Sequence, residues 1–348
     1  MGIELFEFVG AIHAHSTHSD GGGTVQEILA ETVGAGIDYL VLTDHNTLCS
    51  LDAGDEGWQD KVLLIVGDEV SSRHGHCLAL GIETHVDHRQ SADGVLAGIR
   101  KQGGHTYIAH PHGRYRPLLK EIDHGWKAWD TEDFTGIELW SYMFDWASSF
   151  RFTSLISHYR NPDDQIKGPT PETIVKWDEL CQKRRVVALG SVDAHARKTP
   201  LIPIVVFPYR QLFQAIRTHI LCSRPLSGDS VIDKALVLST LAAGRCYICF
   251  DGLADGAGAR FQTADGTLSM GDEAIFQGKT ELQCKLPEPA EVSLVRNGRT
   301  IKTATTTELT HQADTPGVYR MEARIDGRPW LYTNPIYLRS ESVDRTDS

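Results

Sequence analysis

The stretch VGAIHAH at residues 9–15 is an apolar run that ends in two histidines. Its length and composition predict a buried strand, on which residues i and i+2 point to the same face. We therefore expect His13 and His15 to place two imidazoles side by side at the strand end, which suits a metal ion. Asp20 follows in the glycine-rich loop 19–23, whose backbone is free enough to bring a carboxylate back toward the histidines.

Four more apolar runs lead into the same kinds of side chain. The runs are 39–43, 62–66, 106–109 and 186–189, and the residues that follow them are Asp44 and His45, Glu69 and His76, His110 and His112, and Asp193 and His195. The carboxyl ends of parallel strands in an α/β barrel converge on one face, so these residues predict a multinuclear metal site there. Nitrogen and oxygen ligands without cysteine favour Zn, Mn or Fe over an iron–sulfur centre.

Some roles within this set stay open. Asp44 is expected to orient a histidine ligand, and Glu69 is expected to bridge two metals, because a carboxylate has two oxygens. His74 and His76 compete as ligands, and we favour His76 because an apolar run follows it directly. His112 is interpreted either as a residue behind the ligands or as one that faces the substrate.

The apolar runs alternate with amphipathic segments over residues 6–251. Three of these segments are predicted helices, at 24–33, 92–101 and 170–183. The first has a capping box, because Thr24 is followed three residues later by Glu27. Such alternation indicates an α/β layer or barrel with parallel strands.

The pattern changes to short strands and turns from about residue 254. Asn297-Gly298 and Asp326-Gly327 are hairpin signals, since both dipeptides favour tight turns between strands. We therefore predict a metal-binding β/α barrel at 1–252 and a small antiparallel β-sandwich of immunoglobulin type at 253–339. Residues 340–348 are predicted to be a polar tail.

Composition narrows the class of protein. The 348 residues include 34 Lys and Arg against 46 Asp and Glu, a net charge of −12 that disfavours nucleic-acid polymers and anionic membranes. We see neither an apolar run of membrane-spanning length nor the pattern of a secretory signal. Seven scattered cysteines without a C-x-x-C motif indicate reduced thiols, so we expect a cytoplasmic protein. The sequence leaves a homo-oligomer open.

The order of the histidine and carboxylate motifs resembles the PHP (polymerase and histidinol phosphatase) superfamily. The later segments 241–245, 270–272, 316–320, 327–330 and 334–337 are similar to the carbaryl-hydrolase-like subgroup of that superfamily. The resemblance implies a distorted seven-stranded β/α barrel that resembles a TIM barrel and holds two or three divalent metals.

The resemblance also implies three ligand sets. These are His13, His15, Glu69 and Asp193 for one metal, Asp20, His45 and His195 for a second, and Glu69, His76 and His110 for a third. The family often has histidine where this chain has Asp20, and an oxygen ligand there would favour Mn or Fe over Zn.

These residues predict a metal-dependent hydrolase in which a metal-bridging hydroxide attacks a small anionic ester. Phosphate mono- or diesters are the leading substrates, because PHP proteins are mostly phosphoesterases. Arg114 or Arg116 would stabilise charge on the phosphoryl group, and His195 or His112 would protonate the leaving group.

Two alternatives remain. One is a carbamate, ester or amide hydrolase of the carbaryl-hydrolase type, which the aromatic segment 140–152 favours mildly because it could line a pocket. The other is a non-catalytic metal-binding scaffold. Glu138 is undecided between a partner of a ligand and a contact to substrate.

Overall fold

The computed structural model describes residues 4–115, 122–149, 155–199, 202–205 and 207–341. From the N-terminus the elements are β1 (Phe6–Ala14), α1 (Val25–Thr32), β2 (Tyr39–His45), α2 (Cys49–Asp52), β3 (Gly57–Gln59), β4 (Val62–Ser72), β5 (Gly75–Leu80), α3 (Ala92–Lys101), β6 (His105–Ile108), β7 (Arg114–Tyr115), β8 (Ile122–Asp123) and β9 (Gly136–Ser141). They continue with α4 (Tyr142–Ser149), α5 (Leu155–Arg160), the short 3₁₀ helix Pro162–Gln165, α6 (Pro171–Lys183), β10 (Val187–Ser191), β11 (Lys198–Thr199), β12 (Ile202–Val205), α7 (Tyr209–Phe213), β13 (Ile216–Cys222), α8 (Ser230–Ala242) and β14 (Cys246–Phe250). The last strands are β15 (Arg260–Thr263), β16 (Glu273–Ile275), β17 (Thr280–Arg296), β18 (Arg299–Ala313), β19 (Gly317–Ile325), β20 (Arg328–Thr333) and β21 (Ile336–Arg339).

The fold is a mixed α/β arrangement around one large sheet of seventeen strands. The expectation of parallel strands holds for two groups, β1–β2–β4 and β6–β9–β10. It is wrong for β5, which runs antiparallel to both β4 and β6, and for β13, which runs antiparallel to β1. The turn between β4 and β5 is tight, so the chain reverses there instead of crossing over through a helix.

A line of backbone contacts joins β1 to the segment that follows β10. Val192 N donates to the Ile12 carbonyl at 3.0 Å, Ala194 N to the His13 carbonyl at 3.0 Å, and His15 N to the Ala194 carbonyl at 2.9 Å. In the described part of the chain, only the isolated bridge between Ala14 and Ala194 pairs these edges. The sheet is therefore not closed, and the seven-stranded barrel stays a prediction.

The predicted helices and hairpins are confirmed. The Thr24 side chain accepts from the backbone of Glu27, and the Glu27 carboxylate accepts from the Thr24 backbone. Both predicted hairpin turns are present, and all four of their residues have positive φ.

The C-terminal strands continue the same sheet, because β14 pairs with β20. Asn334 strengthens this connection, since its buried side chain hydrogen-bonds the backbone of Ala188 and Cys246. The domain boundary at 252/253 and the separate β-sandwich stay predictions. None of the helices in the described ranges combines the length and the apolar character that crossing a membrane requires.

Candidate metal centre

Glu69 lies in β4 at the centre of the predicted cluster and is 1% exposed. Five ring nitrogens surround its carboxylate: His13 Nε2 (2.9 Å), His15 Nε2 (3.2 Å) and His45 Nδ1 (3.0 Å) around Oε2, and His76 Nδ1 (2.7 Å) and His110 Nε2 (3.2 Å) around Oε1. Both oxygens therefore face imidazoles, which is the arrangement that a bridging carboxylate needs.

The strand register explains how these residues meet. His45 lies directly opposite Glu69 in the parallel pair of β2 and β4. His76 stands at the beginning of β5, yet it reaches the same edge because β5 runs antiparallel to β4 and pairs His76 with Ser71. The expectation that every ligand follows the carboxyl end of its strand is therefore wrong for His76. Antiparallel pairing places this N-terminal strand end at the site.

All nine predicted metal-binding residues lie together. Asp193 Oδ1 is 3.4 Å from His13 Nε2 and 3.3 Å from His15 Nε2. Within this cluster, three groups have ligand atoms within 4.8 Å of one another: His13, His15, Glu69 and Asp193; His15, Asp20, His45 and His195; and His45, Glu69 and His76. His110 adjoins the third group through its contact with Glu69. The roles of these residues as ligands remain a proposal.

The donors fit divalent metals. His15 is completely buried, yet neither of its ring nitrogens has a well-aligned hydrogen bond to a described residue, and no described residue hydrogen-bonds the buried His110 Nδ1. Buried polar atoms normally have partners, so these vacancies point to a ligand. Imidazole and carboxylate donors suit Zn, Mn and Fe.

The ionisable groups of the cluster shift one another's pKa. Burial alone would lower the pKa of His13, but the carboxylates of Glu138, Glu69 and Asp193 outweigh burial and hold that pKa well above 6.5. Burial opposes the charge of Glu69 as well, yet its histidine neighbours hold its pKa well below 4.5. Burial lowers the pKa of His45 to about 4. Divalent cations would displace protons from such a cluster.

The backbone is strained where the cluster forms. His13, His110, Asp193 and Ala196 have φ of 73°, 30°, 51° and 46°. These values lie where side chains larger than glycine are disfavoured, and such strain concentrates at functional sites. The β1–β2 register also shifts around His13, as in a β-bulge. His13 and His15 thus meet at Glu69 through an irregular strand end, whereas we expected a regular i, i+2 alternation.

Glu138, undecided from the sequence, lies behind the ligands. Its Oε1 accepts from His13 Nδ1 at 2.7 Å, and its Oε2 accepts from the His110 backbone at 2.7 Å. This pair of contacts fixes the His13 ring so that Nε2 points at Glu69.

The expected role of Asp44 is wrong. Its carboxylate accepts from the backbone and hydroxyl of Ser16 at 2.8 and 2.6 Å and from Ser19 Oγ at 2.5 Å, whereas no described histidine contacts it. Successive residues of a strand point to opposite faces, so Asp44 turns away from the side on which His45 meets the cluster. Asp44 therefore holds the loop that leads to Asp20.

A cavity of about 440 Å³ opens above the cluster. Carboxylates and imidazoles of the cluster line one side, and the other side is apolar, formed by Met143, Phe144, Trp146, Tyr159, Phe207 and Leu212. We call these six residues the aromatic wall. Phe144 stacks on His110 with ring centroids 4.1 Å apart, and Phe207 meets Trp146 edge to face at 4.7 Å. The cavity can therefore hold an organic group beside the polar cluster.

Among the residues of this cavity that were not predicted, two have basic side chains. His124 lies with its ring centroid 5.3 Å from that of His76, and Arg197 stands near Asp20. Neither follows an apolar run as the ligands do. A signal for Arg197 was present, because it lies two residues after His195.

Other predicted residues lie elsewhere. His112 lines a second, smaller cavity, with its Nδ1 3.0 Å from Thr173 Oγ1, and its role toward a substrate stays a prediction. His74 meets Arg73 on the surface and is not brought to Glu69. Arg116, Phe150 and Phe152 lie outside the described residues. Of Arg114 only the backbone, in β7, is described.

Comparison with known proteins gives limited matches. No family model matches the chain. Over 79 residues, 21% of this chain, it is 37% identical to a phosphoribosyl 1,2-cyclic phosphate 1,2-diphosphodiesterase from Eggerthella lenta. The match spans only 30% of that relative's length.

Two solved structures show weak similarity to this chain. One is a two-domain protein from Bacteroides vulgatus containing a predicted PHP-like metal-dependent phosphoesterase, with 14% identity, 95% of both chains covered and a TM-score of 0.48. The other is described as a metal-dependent phosphoesterase from Bifidobacterium adolescentis, with 14% identity, 55% of this chain and 89% of that one covered, and a TM-score of 0.35. Both TM-scores lie below the level at which a shared fold would follow.

Proposed function

We propose that this chain is a metal-dependent phosphoesterase that acts on small phosphate mono- or diesters and holds two or three divalent ions of Mn, Fe or Zn. The observation that carries the proposal is Glu69, a buried carboxylate surrounded by five imidazoles, with Asp193 and Asp20 beside them. The local identity with a diphosphodiesterase supports the same reaction class.

Each part of the site has a separate role in the proposed reaction. Divalent ions, when bound, supply Lewis-acid stabilisation of phosphoryl oxygens and an activated water. Glu138 holds the His13 ring in place through its 2.7 Å contact. His195 and His124 both line the cavity, so either is placed to give a proton to the leaving group. His112, which lines the smaller cavity, stays the alternative that the sequence predicts.

Metal content is the first test. Elemental analysis of the gently purified protein should give two to three equivalents of Mn, Fe or Zn per chain. His13→Ala and Asp193→Ala should lose most of that metal, whereas His74→Ala, which changes a histidine outside the cluster, should keep it. The metal-loaded wild type should then hydrolyse phenyl phosphate or bis(phenyl) phosphate. Less than half an equivalent, unchanged in the variants and not restored by added metal, would refute the proposal.

A second candidate is hydrolysis of an aryl carbamate or ester. The aromatic wall favours it, because a cavity with one apolar side accepts an aryl group without requiring a negative charge. Phenyl phosphate and phenyl N-methylcarbamate, assayed side by side on the same metal-loaded preparation, separate the two candidates. Faster turnover of the carbamate by a factor of ten or more would select the second.

A further inference from the structure

Arg197 is the only lysine or arginine among the described residues that line the cavity. Its Nε donates to the Asp20 carbonyl at 2.6 Å, and one of its terminal nitrogens donates to the Asp20 carboxylate. Asp20 in turn lies 3.0 Å from His195 Nε2, so the guanidinium directly contacts a member of the second candidate ligand group.

The backbone fixes this position before any substrate binds. Gly22 N donates to the His195 carbonyl at 2.6 Å, and a Cβ on Gly22 would lie 2.4 Å from the Ala196 carbonyl oxygen. Ala196 adopts a φ of 46°, which turns the chain between His195 and Arg197. The loop carrying Asp20 and the segment carrying Arg197 are thus held together at the cavity edge.

Arg197 and Asp20 form a partly exposed ion pair, with side chains 56% and 37% exposed. Such a pair contributes little, and Asp20 already has imidazoles beside it. A guanidinium has five N–H donors in a rigid plane, and Asp20 is its only hydrogen-bond partner within the described residues. Anchored by Asp20 on one side, the plane keeps donors for a second anion on the cavity side.

We infer that Arg197 binds the non-bridging oxygens of the substrate's phosphoryl group and makes the site selective for anionic esters over neutral carbamates and esters. The inference rests on the proposed function and assigns to Arg197 the charge stabilisation that the sequence assigned to Arg114 or Arg116. The aromatic wall would then contact the organic part of the same substrate.

The test compares Arg197→Met with wild type and with Arg210→Met. Arg210 is a matched control, because it is similarly exposed and pairs with one carboxylate, Glu31, without lining the cavity. For each protein at matched metal content, kcat/KM is measured for phenyl phosphate and for phenyl acetate. Binding of inorganic phosphate is measured by calorimetry.

Arg197→Met should lower phosphate affinity and kcat/KM for phenyl phosphate roughly 10- to 100-fold, the usual effect of losing a hydrogen bond to a charged group. Hydrolysis of phenyl acetate should change less than threefold, and Arg210→Met should match wild type. Arg197→Lys should recover only part of the loss, because an ammonium cannot make the paired contact.

Equal losses on both esters, or a loss of metal in Arg197→Met, would overturn the inference, because Arg197 would then act by holding Asp20. Unchanged phosphate affinity would overturn it too. If the wild type hydrolyses no phosphate ester, the proposed function fails, whereas the calorimetric comparison still decides whether Arg197 binds phosphate.

Discussion

His124 is the residue of the cavity that can offer a proton without belonging to the candidate ligand groups. We expect His124→Gln to lower kcat for phenyl phosphate about 100-fold, the usual contribution of a positioned general acid. For 4-nitrophenyl phosphate, whose leaving group needs no proton, the loss should be below fivefold.

The control is His74→Gln, which alters a histidine outside the cavity and should leave both rates near those of wild type. Equal losses on the two esters would assign His124 to binding or packing and would return the proton to His195.

At this scale the sequence predicts the candidate metal ligands but not the side chains that hydrogen-bond to those ligands. The ligands follow or precede apolar runs, which is a local pattern. Glu138 lies inside β9, and its contact with His13 joins residues 125 positions apart in the sequence. No local sequence pattern indicates such a contact, so the sequence leaves the role of Glu138 undecided. The prediction for Asp44 was wrong because Asp44 and His45 are neighbours on one strand, and neighbouring side chains of a strand point to opposite faces.

At the scale of elements, the site depends on how the loop after β1 packs against the segment after β10. Gly22→Ala would place a methyl group 2.4 Å from the Ala196 carbonyl oxygen, which is backbone and cannot move aside easily. We expect the loop to shift and carry Asp20 away from His195, so that the chain loses about one equivalent of metal while staying folded.

Elemental analysis and circular dichroism measure this. Gly94→Ala serves as the control, because the added methyl group in α3 meets only flexible side-chain atoms of Gln90 and Ser91. Full metal content in Gly22→Ala would show that the loop can relax without moving Asp20.

The sequence predicts the positions of strands and helices better than it predicts their direction and packing. Hydrophobic periodicity and helix capping predict where strands and helices lie. The apolar runs that precede the candidate ligands are strands, as predicted. The antiparallel course of β5 was missed, because apolar runs carry no information on strand direction. The aromatic wall combines Phe144 and Trp146 with Phe207, which no local pattern joins.

At the scale of the whole molecule, a buried ionic network lies apart from the metal centre. His219 in β13 contacts Glu7 and Asp251 at 2.9 Å each and stacks on Tyr247, and Glu7 also accepts from Arg260. The network joins β1 to β13, β14 and β15, and so connects the N-terminal strand to the C-terminal half of the sheet.

This network makes stability depend on pH. Burial alone would lower the pKa of His219, but its hydrogen bonds to Asp251 and Glu7 raise that pKa to about 9 from 6.5. A raised histidine pKa stabilises the fold fully below the unfolded value near 6.5, and the stabilisation disappears as pH rises through about 9.

We therefore expect His219→Gln to lower the free energy of unfolding by about 3 kcal/mol at pH 6, because it removes the buried cation that Glu7 and Asp251 share. The difference from wild type should shrink by pH 9.5. Urea titrations at the two pH values, with metal content matched, measure it. His18→Gln, on the exposed loop, should cost under about 0.5 kcal/mol at either pH. A penalty independent of pH would mean that His219 acts through packing alone.

The contacts between β1 and the segment after β10 have a consequence for the order of events during synthesis. His13 and Asp193, which share one candidate ligand group, also flank the backbone contacts that bring these two edges of the sheet together. A nascent chain that does not yet extend to Asp193 already contains His13 and His15 but cannot complete that ligand group. Under the proposed function, the ion of that group is then captured late, together with the docking of the segment that follows β10.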